Sequence, residues 1–213
     1  LSQDTDYFYR FYAQNEDGGY WAPASATFRT GKPWYVKTDG DDAAAGTSWA
    51  SAFATISNAL AQAAAADAVL VSNGTYQLSQ ELVVGAAVTV RGVSGHDATT
   101  IEQTNSGARV MSITNADAVV EGFTVRGGDN SSGNGGGVYL TGGTLRECHV
   151  TDNVAAYGGG VDAAGGTVLD CIISTNRQPA GAEGFRGGGM QIVGSSVIVS
   201  NCTFLGNYGS RRN

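Results

Sequence analysis

The sequence is poor in charge, proline and long hydrophobic runs, and each shortage excludes a class of protein. Charged residues make up 15% of the 213 residues and there are only 3 prolines, yet 42% of the chain is hydrophobic, so it is not a disordered linker. The 12 Lys and Arg residues against 19 Asp and Glu give a formal net charge of −7, which lacks the basic field that nucleic acids require. No apolar run approaches the roughly 18 residues of a membrane-spanning helix. We therefore expect neither a nucleic-acid partner nor a transmembrane segment.

The chain also lacks an initiating methionine and a signal peptide, since it opens with LSQDTDYFYR. This opening lies inside a patterned segment, which predicts that the chain is part of a longer multidomain protein. Its three cysteines are an odd number, which argues against a closed disulfide framework. In contrast, the 32 glycines lie among short apolar runs, a pattern typical of short strands joined by tight turns.

Residues 1–30 alternate aromatic and polar side chains, which predicts a short antiparallel hairpin with a turn near Asn15 to Gly19. The residues Leu1, Thr5, Tyr7, Ala13, Asn15 and Gly18 resemble the last two strands of a fibronectin type III domain. That resemblance implies that Tyr7 is the tyrosine-corner residue of such a domain. It covers about 30 residues of a fold that needs about 100, so it implies only the C-terminal part. The alternative is a hairpin that simply packs on the following domain.

The following sequence predicts a linker at 31–36 and the N-terminal cap of a second domain at 37–80. An Ala-rich stretch with Phe53, Ile56 and Leu60 at helical spacing predicts a helix at about 48–66, with Thr47 or Ser48 as N-cap. From residue 81 to 213 the helical pattern is replaced by short apolar runs that predict strands.

A repeat becomes explicit after residue 134. The Gly triples that begin at Gly135, Gly158 and Gly187 are each followed by a unit that contains a cysteine: LRECHVTDN, VLDCIISTN and VSNCTFLGN. The cysteines are spaced by 23 and then 31 residues, and Phe123 occupies the cysteine position in an earlier unit. A period of 20–30 residues without helices is typical of a β-solenoid, whose strands stack about 4.8 Å apart.

Equivalent positions of stacked turns form ladders along the coil. The cysteine ladder, formed by Cys148, Cys171 and Cys202, is predicted to point inward as small buried hydrophobes, although two stacked cysteines can also be close enough to bond. The asparagine ladder, formed by Asn153, Asn176 and Asn207, is predicted to lie at a turn and to join adjacent turns through its amides. An alternative for these amides is sugar binding. His149, Ile172 and Thr203 alternate with the core positions and should point outward.

The Gly triples and the motifs V-x-x-N, I-x-x-N and F-x-x-N resemble the right-handed parallel β-helix repeats of polymorphic outer-membrane proteins and adhesin-like surface proteins. The stretch from Tyr35 to Tyr76 resembles the N-terminal cap of such proteins, in which an amphipathic helix covers the open end of the coil. The resemblance covers roughly residues 34–210. It implies an all-β, pectate-lyase-like solenoid with an N-terminal capping α-helix, and an extracellular or cell-surface location. It implies little about activity, because the fold carries adhesins, lyases and hydrolases.

A search for catalytic groups yields no repeated carboxylate pair. Lyases of this fold need carboxylates that hold Ca²⁺ beside an Arg or Lys base, and hydrolases need clustered carboxylates. Asp152, Asp162 and Asp170 are scattered among the turns, and the motif at 95–97, Gly-His-Asp, resembles a hydrolase turn but stands alone. We predict no catalytic residues and no cofactor. Asp39, Asp41 and Asp42 are candidate Ca²⁺ ligands, with an Asp-rich turn that bonds its own backbone as the alternative.

Loops that precede the Gly triples should stack along one edge of the coil. This edge gathers arginines and aromatic residues, a composition suited to sugars or a protein partner. The candidate ligand-binding residues are Arg126, Tyr157, Arg177, Glu183, Phe185, Arg186 and Tyr208, with Arg211, Arg212 and Arg109 as further arginines. The alternative is that these loops vary because nothing constrains them.

Two functions follow from these patterns. The first is a non-catalytic surface protein, an adhesin, stalk or scaffold that binds a glycan or a surface protein. The second is a carbohydrate-active enzyme, a lyase or a hydrolase, or its carbohydrate-binding module. The enzyme would be favoured if Arg and Asp residues of adjacent turns met in one groove.

Overall fold

A computed structural model describes residues 1–180 and 186–209 of the chain. The first 30 residues form two antiparallel pairs, in which β1 (Thr5–Tyr9) pairs with β4 (Ala26–Thr30) and β2 (Tyr12–Asn15) pairs with β3 (Gly18–Trp21). The predicted hairpin is therefore present, but each of its two long arms is broken into two strands.

The rest of the described chain is an all-β parallel solenoid of about five turns. Its strands up to residue 126 are β5 (Pro33–Val36), β6 (Ala68–Val71), β7 (Gly74–Leu78), β8 (Leu82–Val84), β9 (Thr89–Gly92), β10 (Thr99–Gln103), β11 (Met111–Ile113), β12 (Val119–Glu121) and β13 (Thr124–Arg126). The following strands are β14 (Asp129–Asn134), β15 (Val138–Leu140), β16 (Thr144–Arg146), β17 (His149–Thr151), β18 (Val154–Tyr157), β19 (Val161–Ala163), β20 (Thr167–Leu169), β21 (Ile172–Ser174), β22 (Met190–Ile192), β23 (Ile198–Ser200) and β24 (Thr203–Leu205).

Three parallel sheets run along the coil, and each turn contributes one strand to each of them. The first sheet has the order β5-β6-β9-β12-β16-β20-β23, the second β7-β10-β13-β17-β21-β24, and the third β8-β11-β15-β19-β22. A shorter parallel pair, β14-β18, lies between the second and third sheets along the chain. The predicted parallel β-helix is thus confirmed.

The inner face of each sheet is a ladder of apolar side chains in matching register. In the first sheet, Val120 lies between Val90 and Leu145, and Leu145 pairs with Val168. Each of these four side chains is at most 1% exposed. Since every turn buries its apolar face against the next turn, the hydrophobic core runs along the whole coil.

The last four corners between the first and second sheets each hold one residue in the left-handed backbone region. These residues are Gly122, Glu147, Asp170 and Asn201, with φ between 51° and 77°. The next residue then points into the core, where Phe123 and Cys148 are fully buried and Cys171 is 1% exposed. Burial raises the pKa of the Cys148 thiol to about 12 and also raises that of Cys171, so these two thiols fill space rather than react. All three cysteines are free.

The corner between the second and third sheets carries the asparagine ladder. The Asn176 Oδ1 accepts hydrogen bonds from the backbone N–H of Asn153 at 3.1 Å and from its Nδ2 at 3.0 Å. Asn207 accepts the same two bonds from Asn176, at 3.0 and 3.1 Å. The Gly triples pack directly against this ladder, since a Cβ on Gly137 would lie 2.8 Å from Asn153 Nδ2. This contact explains why the repeat needs glycine there.

The beginning of the coil differs from the sequence prediction. The predicted helix at 48–66 is wrong in extent: the structure has a 3₁₀ turn at Trp49–Ser51 and an α-helix, α1, at Ile56–Gln62. The predicted linker at 31–36 contains β5, which pairs with β6. Helix α1 is capped by the Thr55 side chain and packs against β5, β6 and β8. Its role as a cap over the coil end stays a prediction.

The hairpin is tied to the first turn of the coil by the buried carboxylate of Asp67. This side chain accepts hydrogen bonds from Trp34 Nε1 at 2.9 Å and from the backbone N–H groups of Lys32 and Ala64 at 3.0 Å. From the hairpin, the Arg29 Nη1 reaches Asp67 at 2.9 Å, while the other side of its guanidinium contacts Asp4.

Within the described residues, no helix is long and apolar enough to cross a membrane.

Candidate functional site

The loops before the Gly triples come together on one side of the coil, which we call the loop edge. It comprises β14, β18, residues 177–180, Arg186 and Tyr208. Strand β14 pairs with β18 through an irregular register, and bridges then connect Val154 to Arg177 and Arg177 to Tyr208. Four successive turns of the coil thus contribute a segment to the same edge.

A groove of about 510 Å³ runs across the loop edge. Its lining includes Asp129, Ser131, Val154, Arg177, Pro179 and Tyr208. The groove therefore brings together two of the predicted residues, Arg177 and Tyr208, with an acidic residue that the sequence did not single out. A volume of this size lies in the range of small-ligand sites.

Arg177 differs from the arginines of the earlier turns in its charge balance. Arg91, Arg109, Arg126 and Arg146 each lie within 4 Å of a glutamate. In the part of the chain that the structure describes, no carboxylate lies that close to Arg177. Its positive charge is therefore available to a ligand in the groove.

Tyr157 and Arg186 form a second contact of the loop edge. The Arg186 guanidinium carbon lies 4.5 Å from the centre of the Tyr157 ring, a cation–π geometry, and Arg186 is exposed. The predicted residues Glu183 and Phe185, and the further arginines Arg211 and Arg212, lie outside the described residues.

Arg126 and Arg109 lie away from the lining of this groove. Arg126 extends from β13 with its Nε 3.1 Å from the Glu102 carboxylate. Arg109 lies over the Tyr139 ring, 4.8 Å from its centre, and 3.5 Å from Glu81. Their pairing explains why they do not join the groove.

The candidate Ca²⁺ ligands hold the turn before α1. Asp42 accepts hydrogen bonds from the backbone N–H groups of Ala54 and Thr55 at 2.9 Å, and Asp41 accepts one from Ala43. Asp39 lies 3.6 Å from Lys37. The described residues contain no group of three or more His, Cys, Asp or Glu side chains that could hold a metal ion.

Sequence analysis missed a charged cluster on the first sheet. Glu121 lies between Arg91 of the preceding turn, at 3.4 Å, and Arg146 of the following turn, with which it makes a short hydrogen bond. The carboxylate is 5% exposed, and its hydrogen bond raises the pKa of Arg146. The repeat alignment that places Phe123 at the cysteine position also places Glu121 opposite Arg146, so this pair could have been predicted from the sequence.

The second sheet carries a group that was also missed. His149 Nε2 lies 2.8 Å from Ser174 Oγ on the outer face, and the His96 ring lies 6.0 Å from the His149 ring. These are the two histidines of the whole chain. The Gly-His-Asp motif at 95–97 therefore has a second histidine beside it, His149, which the structure brings close.

The third sheet carries a buried carboxylate on its outer face. Asp162 is 0% exposed and makes a short hydrogen bond with Asn134, while its Oδ1 has no partner among the described residues. Burial raises the pKa of this carboxyl group. Asp162 lies beside Tyr139 and Gln191 in register, so the sheet itself rather than the groove surrounds it.

No family model and no curated protein matches the sequence. Two solved structures align with most of this chain. A crystal structure of the pectate lyase Pel9A aligns with 82% of this chain at 17% identity and a TM-score of 0.62. A rhamnogalacturonan lyase aligns with 86% of it at 14% identity and a TM-score of 0.49. The chain spans 48% and 63% of the lengths of these two proteins, and at such identities the likeness to the pectate lyase establishes the parallel β-helix fold alone.

Proposed function

We propose that this chain is an extracellular β-helix module that binds a carboxylate-bearing glycan at its loop edge. The observation that carries the proposal is the groove in which Arg177, free of any close carboxylate among the described residues, lies with Tyr208. A guanidinium matches the geometry of a sugar carboxylate through paired hydrogen bonds, and an aromatic ring offers a flat surface to a sugar ring. The formal net charge of −7 means that recognition depends on these close contacts and not on long-range attraction.

The choice of ligand rests on the similar structures. One is named a pectate lyase, and pectate is a polymer of acidic sugars. A polysaccharide of this kind lies outside the cell, which supports an extracellular location. An adhesive or scaffolding role is consistent with a coil that displays its binding residues along one edge.

We further propose that the hairpin is the C-terminal part of a fibronectin type III-like domain. Two features support this. The Tyr7 hydroxyl accepts a hydrogen bond at 2.7 Å from the backbone N–H of Ser2, and such an upstream bond is the mark of a tyrosine corner. Phe8 and Phe11 are 74% and 71% exposed, as expected of strands that pack against others in a complete sandwich.

A second candidate function is that of a polysaccharide lyase whose active site lies on the first sheet. The cluster of Arg91, Glu121 and Arg146 favours it, because arginines and a carboxylate from adjacent turns meet there. However, a lyase base must give up its proton, and the bond with Glu121 raises the pKa of Arg146 and so keeps it charged. The cluster is thus better suited to holding charge than to removing a proton, and glycan binding remains the favoured function.

Titration calorimetry with pectate oligosaccharides tests the proposal. We expect binding by the unaltered chain and at least about tenfold weaker binding by Arg177→Ala, because a charge-assisted hydrogen bond is lost. Arg91→Ala removes the same charge on the first sheet and serves as the matched control, for which we expect a change below about twofold. Fully methyl-esterified pectin should bind poorly, since it lacks the carboxylates.

Equal loss in both variants, or no binding of pectate at all, would overturn the assignment to the groove. The same solutions, followed by ultraviolet absorbance, report the double bond that a lyase creates. Absorbance that grows with time and disappears in Arg146→Ala would favour the second candidate.

A further inference from the structure

A serine and a histidine meet on the outer face of the second sheet, outside the groove. His149 begins β17 and Ser174 ends β21, the next strand of the sheet, so the two side chains meet diagonally. The Ser174 Oγ lies 2.8 Å from His149 Nε2. A nucleophile and a base within hydrogen-bond distance are the first requirement for acyl transfer.

The surroundings of His149 favour its neutral form, which accepts a proton. Burial lowers the pKa of His149 and the nearby His96 lowers it further, against the opposing effects of Asp152 and Asp97. The His96 ring packs edge-on at 6.0 Å, and its backbone carbonyl accepts a hydrogen bond at 2.8 Å from Thr124. His149 is thus held by a neighbour that is itself fixed to the sheet.

Ser174 is bordered on its other side by hydroxyl groups. Thr151 Oγ1 lies 3.4 Å from Ser174 Oγ, 2.7 Å from Thr175 Oγ1 and 3.1 Å from an Asp152 oxygen. In this arrangement Thr151 Oγ1 accepts a hydrogen bond from Ser174 Oγ. When the Ser174 proton passes to His149, Thr151 loses this donor, and its hydroxyl can turn toward an oxyanion.

This hydroxyl chain ends next to the glycan groove. A depression of about 160 Å³ is lined by Asp152, Thr175 and Arg177, and Arg177 also lines the groove. A sugar held by Arg177 can therefore direct a substituent toward the outer face of the second sheet. Ser174 itself is 8% exposed, so only a small group can reach it.

We propose that Ser174 and His149 are a nucleophile and base that hydrolyse small acyl esters, acetyl above all, carried on sugar hydroxyls. Ser174 Oγ bonds to the ester carbonyl carbon while its proton passes to His149 Nε2. The bond to the sugar oxygen then breaks, and the sugar hydroxyl leaves with that proton. A water molecule, deprotonated by the same imidazole, releases acetate and restores Ser174. The sugar part of this inference rests on the proposed function, whereas the ester hydrolysis does not.

Hydrolysis of p-nitrophenyl acetate, together with labelling by a fluorophosphonate, tests the pair without any glycan. We expect Ser174→Ala and His149→Gln to lower the enzymatic rate at least about 100-fold. Mass spectrometry should locate the label on Ser174, and His149→Gln should abolish it. Ser112 is a buried serine on the outer face of the third sheet. Ser112→Ala is therefore the matched control and should change the rate less than about twofold. Thermal melting of each variant reports whether it is folded.

Hydrolysis that survives Ser174→Ala in a folded protein, or a label found elsewhere, would overturn the proposal, as would the absence of both signals in the unaltered chain. The rate should fall with acidification only below the ordinary histidine pKa of 6.5, since that of His149 is lowered. Release of acetate from acetylated pectate should be slower in Arg177→Ala than in the unaltered chain. If only that last effect failed, the glycan assignment would be wrong and the ester hydrolysis would stand.

Discussion

The hairpin and the coil solve the problem of burying apolar side chains in opposite ways. In the coil, the inward side chains of successive strands stack on one another, and Phe123, Leu145 and Ile173 are 0% exposed. In the hairpin, aromatic rings contact each other at the surface, as in the stacked pair of Tyr7 and Phe28 with centres 5.5 Å apart. The coil thus makes its own core from repetition, whereas the hairpin holds its rings together without covering them.

This difference shows what a repeat gives to a short chain. A two-stranded hairpin is marginally stable by itself, and here Arg29 links it to the buried carboxylate of Asp67 in the coil. A turn of the coil gains apolar contacts on both sides, so its outer face is free to carry polar groups. The candidate sites on the loop edge and on the second sheet both use that freedom.

Truncation of one aromatic residue in each region gives the largest expected difference. Phe123→Ala should lower the free energy of unfolding by about 3–5 kcal/mol, because it leaves a cavity in a closed core. Phe28→Ala, at a ring that is 42% exposed, should cost less than about 1.5 kcal/mol. Urea denaturation followed by circular dichroism measures both. Similar losses would show that the hairpin core is as closely packed as the coil.

The fold of the coil could be predicted because the repeat is written directly in the sequence. Register follows from it: His149 and Ile172, predicted to occupy equivalent outward positions, are paired in the second sheet. The extent of the helix could not be predicted, since tertiary contacts override the helix propensity of alanine. Phe53 is drawn into backbone pairing with Tyr35, and Ala64 donates its N–H to Asp67 instead of continuing α1.

The candidate sites also differ in how far the sequence predicts them. Arg177 and Tyr208 could be predicted to lie together because both follow the asparagine of their own repeat. His149 and Ser174 could not, because they meet diagonally across two turns, and His96 comes from an irregular loop. A contact that occurs once leaves no periodic trace in a single sequence.

Removal of one asparagine from the ladder tests whether the coil depends on its polar corner as well as its core. Asn176→Ala should cost about 2–3 kcal/mol, because it leaves the buried N–H of Asn153 without a partner and removes the bonds that its amide makes to adjacent turns. The exposed amide of Gln77 on β7 provides the control, and Gln77→Ala should cost less than about 0.5 kcal/mol. Amide hydrogen exchange at Asn153 should accelerate in the first variant alone. Unchanged exchange there would mean that the ladder is dispensable.

Lowering the pH should weaken the contact between the hairpin and the coil. Burial by itself would raise the pKa of Asp67, but hydrogen bonds from Ala64, Lys32, Trp34 and Arg29 outweigh it and lower the pKa. A lowered folded-state pKa contributes stability above the ordinary value of 3.8, and that contribution is lost as the pH falls through the folded value.

The matched pair Asp67→Asn and Asp4→Asn sharpens this last test, since both residues pair with Arg29 but only Asp67 is buried. We expect Asp67→Asn to lower stability at pH 7 by on the order of 1 kcal/mol and to flatten the stability profile below about pH 5. Asp4→Asn should leave most of that slope in place, because solvent screens an exposed pair. Thermal melting across this pH range measures both. A profile that flattens equally in the two variants would mean that the hairpin is held by its surface charges, and that the buried carboxylate serves only the first turn of the coil.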